Sequence, residues 1–119
     1  MKLLTAYVRT FIADRVINAL KELKAPRISA INVKALGDEI QPDQLEISAE
    51  LGSTYTTMVK IELICTDECV ERVKKVILKQ ARTGYKGDGL ITISPVEEAI
   101  SIRTSKNGIL PCGCDISNS

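Results

Sequence analysis

The sequence predicts an α+β domain built from two strand–helix–strand units, and three observations carry that prediction. Short β-rich runs of alternating residues recur near 2–10, 28–36, 57–65 and 90–96. Two stretches between them repeat apolar residues at helical spacing. The chain has 119 residues, enough for one domain and too few for two of ordinary size.

The elements follow in order. In residues 2–10, Leu3, Thr5, Tyr7 and Arg9 share one face and Leu4, Ala6 and Val8 the other, as a strand requires. Phe11, Ile12, Val16, Ala19, Leu20 and Leu23 then recur at helical spacing, and Pro26 ends the helix. A second strand is read over 28–36. Residues 37–56 break the pattern with Gly37, Pro42, Gly52 and a run of acidic residues, and a loop this long in a small domain points to function. A third strand follows at 57–65, with Val59, Ile61 and Leu63 alternating against Lys60, Glu62 and Ile64. Thr66 or Asp67 is placed to N-cap a second helix whose apolar stripe is Val70, Val73, Val76 and Ile77. Its basic far half, Arg72 to Arg82, suits the negative helix C-terminus better than a nucleic-acid patch. A fourth strand is read over 90–96 and a short fifth over 99–104, before a polar tail.

This order is the ferredoxin-like βαββαβ arrangement, with the long loop between strands 2 and 3. Two helices on one face leave the other sheet face uncovered. Leu, Ile and Val populate both faces, so the open face is expected to be buried by self-association.

Composition narrows the function. Sixteen Lys and Arg against fifteen Asp and Glu give a net charge of +1, too balanced for a dedicated nucleic-acid binder. The absence of histidine excludes a His-dependent triad and an imidazole zinc site. No nucleophile is paired with a base, so no enzyme is predicted. Tyr7 is the one aromatic on the predicted strands, too few for RNA bases to stack on. Arg9, Asp14 and Arg15 interrupt the apolar start, which predicts neither a membrane span nor a secretory leader and points to the cytoplasm.

The densest motif is Thr83-Gly84-Tyr85-Lys86-Gly87-Asp88-Gly89, between the second helix and the fourth strand. Three glycines in seven residues permit positive φ, and successive amides in such a turn can form an anion-binding nest. A helix precedes it and a strand follows, so it is neither a P-loop nor a dinucleotide fingerprint.

Residues 81–108, ARTGYKGDGLITISPVEEAISIRTSKNG, resemble the C-terminal signature of the PII signal-transduction proteins, with VKALG (33–37) and VKIELIC (59–65) in register. The likeness covers residues 1–105 and leaves 106–119 as a tail. It implies a non-catalytic homotrimer that binds adenine nucleotides in the clefts between subunits. It also implies that the long loop, the T-loop at 37–56, regulates partner proteins, often membrane transporters. Carried over by position, Gly87, Asp88 and Gly89 match the turn beside the phosphates. Gly37 matches the base of the T-loop, and Ser29 and Ile64 match adenine contacts. Arg103 matches an arginine reaching in from the neighbouring subunit.

Departures from that pattern define this member. The cation expected after Gly-Asp-Gly is Leu90, the first of two family arginines is Ser101, and the basic residue and glutamine after Gly37 are Asp38 and Glu39. A hydrogen bond to a charged group is worth about 1.5–3 kcal/mol, so two losses weaken a triphosphate by about a hundredfold or more. ADP, AMP or a cyclic nucleotide is therefore expected ahead of ATP, and losing the glutamine weakens the case for 2-oxoglutarate. The tyrosine that some members nucleotidylate is Leu51 here, which excludes that regulation. Nitrogen or inorganic-carbon metabolism is the expected setting, with bicarbonate as a candidate co-effector.

Cys65 and Cys69 read as structural thiols. Cys112 and Cys114 form a Cys-x-Cys in the tail, the basis of an alternative reading as a trimeric metal or redox sensor.

Overall fold

The computed structural model describes residues 1–37, 46–48 and 53–110. The elements are β1 (Lys2–Arg9), α1 (Thr10–Glu22), β2 (Ser29–Ala35), β3 (Glu46–Ser48), β4 (Ser53–Cys65), α2 (Val70–Ala81) and β5 (Gly89–Pro95). The main sheet runs β2-β4-β1-β5 with every neighbouring pair antiparallel, and β3 pairs with β4 at the far end. This is the ferredoxin-like order that the sequence predicts.

The two-residue period of β1 sorts its side chains by face. Leu4, Ala6 and Val8 are buried beneath the helices. They lie opposite Leu63, Ile61 and Val59 of β4. Ile12, Val16 and Leu20 of α1 and Val73, Ile77 and Ala81 of α2 close the same core. At about 1.5–3 kcal/mol per fully buried aliphatic side chain, this one cluster supplies the main force holding helices to sheet.

Register defines the open face as well. Ile31, Lys60, Tyr7 and Leu90 form one row across four strands. Ile31 and Leu90, at its two edges, are 51% and 62% exposed. The expected uncovered face with apolar residues is therefore present.

Several boundaries differ from the sequence reading. The 37–56 loop contains strand at 46–48 and again from 53, because β3 and β4 pair as Glu46↔Tyr55, Ile47↔Thr54 and Ser48↔Ser53. The third predicted strand is therefore four residues longer at its start. The predicted fifth strand at 99–104 is instead a turn closed by an isolated bridge, Ile100↔Asn107. The Ser101 amide donates to the Lys106 carbonyl at 3.0 Å and the Gly108 amide to Ala99 at 2.9 Å. Phe11, read as part of the apolar stripe, is 67% exposed on α1. Neither Thr66 nor Asp67 caps α2, because a 3-10 turn at Asp67–Cys69 intervenes. The Thr66 hydroxyl is buried without a partner. Asp67 pairs instead with the N-terminal amine at 3.1 Å. No helix among the described residues is long and apolar enough to cross a membrane.

Candidate functional site

The glycine-rich turn leaves the end of α2 and enters β5 beside the last residues of β1. Its geometry is set by Asp88. The Thr83 and Gly84 amides each donate to Asp88 Oδ2 at 2.8 Å. The Thr83 hydroxyl donates to Oδ1 and accepts from the Tyr85 amide at 3.3 Å. Arg9 Nε donates to the same Oδ1 at 3.1 Å and Arg9 Nη2 to the Lys86 carbonyl at 2.9 Å. Burial pushes the Asp88 carboxyl up, but the Thr83 hydroxyl, the two amides and Arg9 together outweigh it and lower its pKa to about 2.

The anion expected in a nest of turn amides is thus partly supplied from within. Three amides, those of Thr83, Gly84 and Tyr85, are turned onto the loop's own oxygens. The Asp88 carboxylate shapes the turn and is committed to it.

Gly89 is glycine for a reason the sequence could not disclose. Its φ is +117°, and a Cβ there would lie 1.7 Å from the Tyr7 carbonyl oxygen. No side chain fits between β5 and β1 at this point. Gly87 also takes a positive φ, 97°.

The remaining predicted residues are distributed by the sheet. Gly37 lies two residues past β2, off the end of the sheet where Arg9 pairs with Met58 and Met58 with Val33. That is the end that carries the glycine-rich turn. Ser29 and Ile64 lie toward the other end, where Ser29 pairs with Glu62 and Ile64 with Leu3. The five-residue step along β1 from Leu3 to Val8 spans about 17 Å.

Two cavities mark the two ends. One, of about 380 Å³, is lined by Leu3, Ser29, Glu62, Ile64, Ile100 and Ser101 among others. The other, of about 370 Å³, lies between α2 and β5 and includes Tyr7, Ile77, Arg82, Asp88, Gly89 and Leu90. The structure thus brings Ser29 and Ile64 together with Ser101, and Asp88 together with Gly89, but does not bring the two sets together in one copy.

Arg103 stands in the exposed 99–108 turn. The Ser101 hydroxyl accepts from the Thr104 amide at 3.3 Å, so the residue standing where an arginine was expected shapes that turn. The next side chain, Ile102, is 99% exposed.

Asp38, Glu39, Leu51, Cys112 and Cys114 lie outside the described residues. Cys65 and Cys69 are free and buried, as the sequence suggested. Burial pushes the Cys65 thiol up, and Arg72 Nη2 donates to Cys69 Sγ at 3.7 Å. Among the described residues no group of three or more His, Cys, Asp or Glu could hold a metal ion.

Sequence reasoning missed Arg9. It is 6% exposed although it stands on the open face. The available signal was a cation on the strand face expected to be buried. Its partner, 79 positions away, was not readable.

Comparison with known proteins agrees with this geometry. The model of the nitrogen regulatory protein P-II family matches residues 1–106. Nitrogen regulatory protein P-II of Bradyrhizobium diazoefficiens is 37% identical over 109 residues, 92% of this chain and 97% of the relative. The protein of the same name from Azospirillum brasilense is 36% identical over 108 residues, 91% of this chain and 96% of its own. That from Rhodobacter capsulatus is 37% identical with the same coverage.

Proposed function

The chain belongs to the nitrogen regulatory protein P-II family, and on that premise we propose that it is a sensor taking one adenine nucleotide into each cleft between subunits. Proteins of this family are non-catalytic regulators. They are homotrimers that bind adenine nucleotides and act on partner proteins.

The observation that carries the reading is the partition of the site. One copy holds the Gly87-Asp88-Gly89 turn at one end of β1 and the Ser29 and Ile64 cavity at the other. A threefold arrangement that buries the open face would set the turn of one copy against Ser29, Ile64 and Arg103 of the next. The cavity beside Ser29 and Ile64 would take the base, and the turn, held rigid by Asp88 and Arg9, would take phosphate. A rigid donor set binds better because it loses less freedom on binding.

In this reading the ligand is ADP or AMP ahead of ATP. Leu90 follows the turn as a 62% exposed apolar side chain beside Tyr7, where a cation would face the terminal phosphate. Ser101 offers a hydroxyl already engaged in its own turn. Nucleotide binding would bias residues 37–56 and so the affinity for a regulated protein, with a membrane transporter reached from the cytoplasm as the favoured kind. Bicarbonate is the candidate co-effector, within nitrogen or inorganic-carbon control. The alternative metal or redox reading rests on Cys112 and Cys114, which lie outside the described residues.

Complementation between copies tests the composite site. Gly87→Glu blocks the phosphate half and Ile64→Arg the adenine half, so each variant alone should bind ADP at least tenfold more weakly. Refolding the two together creates some interfaces with both halves intact and should restore a fraction of tight sites. A mixture that binds no better than either parent contradicts the reading.

A further inference from the structure

The glycine-rich turn and the strand leaving residues 37–56 are tied to consecutive residues. Arg9, the last residue of β1, holds the turn through Asp88 and the Lys86 carbonyl. Thr10, the first residue of α1, donates its hydroxyl to the Thr57 carbonyl at 2.8 Å. The β1–β4 ladder ends at Arg9↔Met58, so this side-chain bond continues it one residue toward the loop. Beyond Thr57, β4 pairs with β2 through Ala35↔Thr56 and with β3 through Glu46↔Tyr55.

We propose that Arg9 and Thr10 are positioning residues that couple the glycine-rich turn to the 53–57 stem of the loop. This rests on the nucleotide-site reading for its ligand, although the coupling itself is a property of the free protein. Three features support it. Arg9 is nearly buried, so a shift of Asp88 or Lys86 must be followed by its guanidinium and by the strand end that carries it. The bond from Thr10 is exposed, so water can replace it at little net cost and the stem's hold on α1 can be made or released. Both residues stand at the β1–α1 junction, where one small rotation moves both contacts. No ligand contact is assigned to Thr10; it acts through the Thr57 carbonyl.

Hydrogen–deuterium exchange of the full chain, read at the 53–57 amides, tests the coupling with and without ADP. In the ligand-free protein, Arg9→Gln should raise exchange at 53–57 about two- to tenfold. The same change on a Thr10→Val background should add little. In the wild type, saturating ADP should slow exchange there several-fold. Thr10→Val should bind ADP within twofold of wild type yet lose that slowing, and Thr10→Ser, which keeps the hydroxyl, should restore it. A merely structural role for Thr10 would not separate binding from protection in this way.

The coupling is overturned if Arg9→Gln leaves 53–57 unchanged in the free protein, or if Thr10→Val retains the full ADP effect. If the free-protein cycle shows coupling but ADP does not bind the wild type, the nucleotide reading fails and the coupling stands.

Discussion

The Arg9 guanidinium donates to the Asp88 carboxylate at 3.1 Å across 79 positions of sequence, joining the first strand to the turn that opens the last. The two side chains are 6% and 23% exposed. Removing one member deprives the other, poorly solvated charge of this partner. Asp88→Ala, which also frees the Thr83 and Gly84 amides, is expected to lower unfolding free energy by about 2–3 kcal/mol. Urea titration measures it, and a loss below about 0.5 kcal/mol would mean the turn stands without its carboxylate.

The same carboxylate makes stability depend on acid. Its pKa is about 2 in the fold against 3.8 ordinarily. A depressed carboxyl contributes stability that is fully present above its unfolded pKa and lost as pH falls through the folded one. The wild type should therefore lose about 1–2 kcal/mol from this group between about pH 4 and pH 2. Asp88→Asn should show a correspondingly flatter profile across that window. Parallel profiles for the two proteins would refute the assignment.

Gly89 and Gly84 both take positive φ, but only Gly89 is crowded. Alanine at Gly89 would drive a methyl into the Tyr7 carbonyl, whereas a Cβ on Gly84 meets nothing within 4 Å. Gly84→Ala should cost about 1–2 kcal/mol from backbone strain alone. Gly89→Ala should cost more than about 3 kcal/mol or prevent native folding, since β5 cannot keep its register against β1. Equal melting temperatures for the two variants would contradict this.

Restoring a cation should restore grip on a terminal phosphate. Leu90 is 62% exposed, and Leu90→Lys should raise ATP affinity about tenfold, the equivalent of one charge-assisted hydrogen bond. AMP affinity should change less than threefold. A gain that is equal for AMP and ATP would show that position 90 does not face the terminal phosphates.

The fold was readable because periodicity reports burial. Leu4, Ala6 and Val8 alternate and are buried, and Val73 and Ile77 recur at helical spacing and are buried. Failures came where tertiary context decides. Phe11 has the right spacing but stands exposed in the first turn of α1, and AISIRT alternates like a strand yet closes a turn held by Ser101, Lys106 and Gly108. The 46–48 and 53–56 strand segments lie in a polar stretch interrupted by Pro42 and Gly52, so pattern gave no warning of their pairing. The glycine-rich turn was visible as a motif. Its organisation was not, because three strands and two helices separate Arg9 from Asp88 along the chain. Nor could composition say that Gly89 faces a carbonyl while Gly84 faces open space.

The central claim is a composite nucleotide site with a weakened hold on the terminal phosphate. Titration calorimetry of the purified protein with AMP, ADP and ATP with Mg²⁺ tests it most directly. One ADP or AMP per chain is the predicted result, at least tenfold tighter than ATP. The account is contradicted if ATP with Mg²⁺ is the tightest ligand, or if none of the three binds.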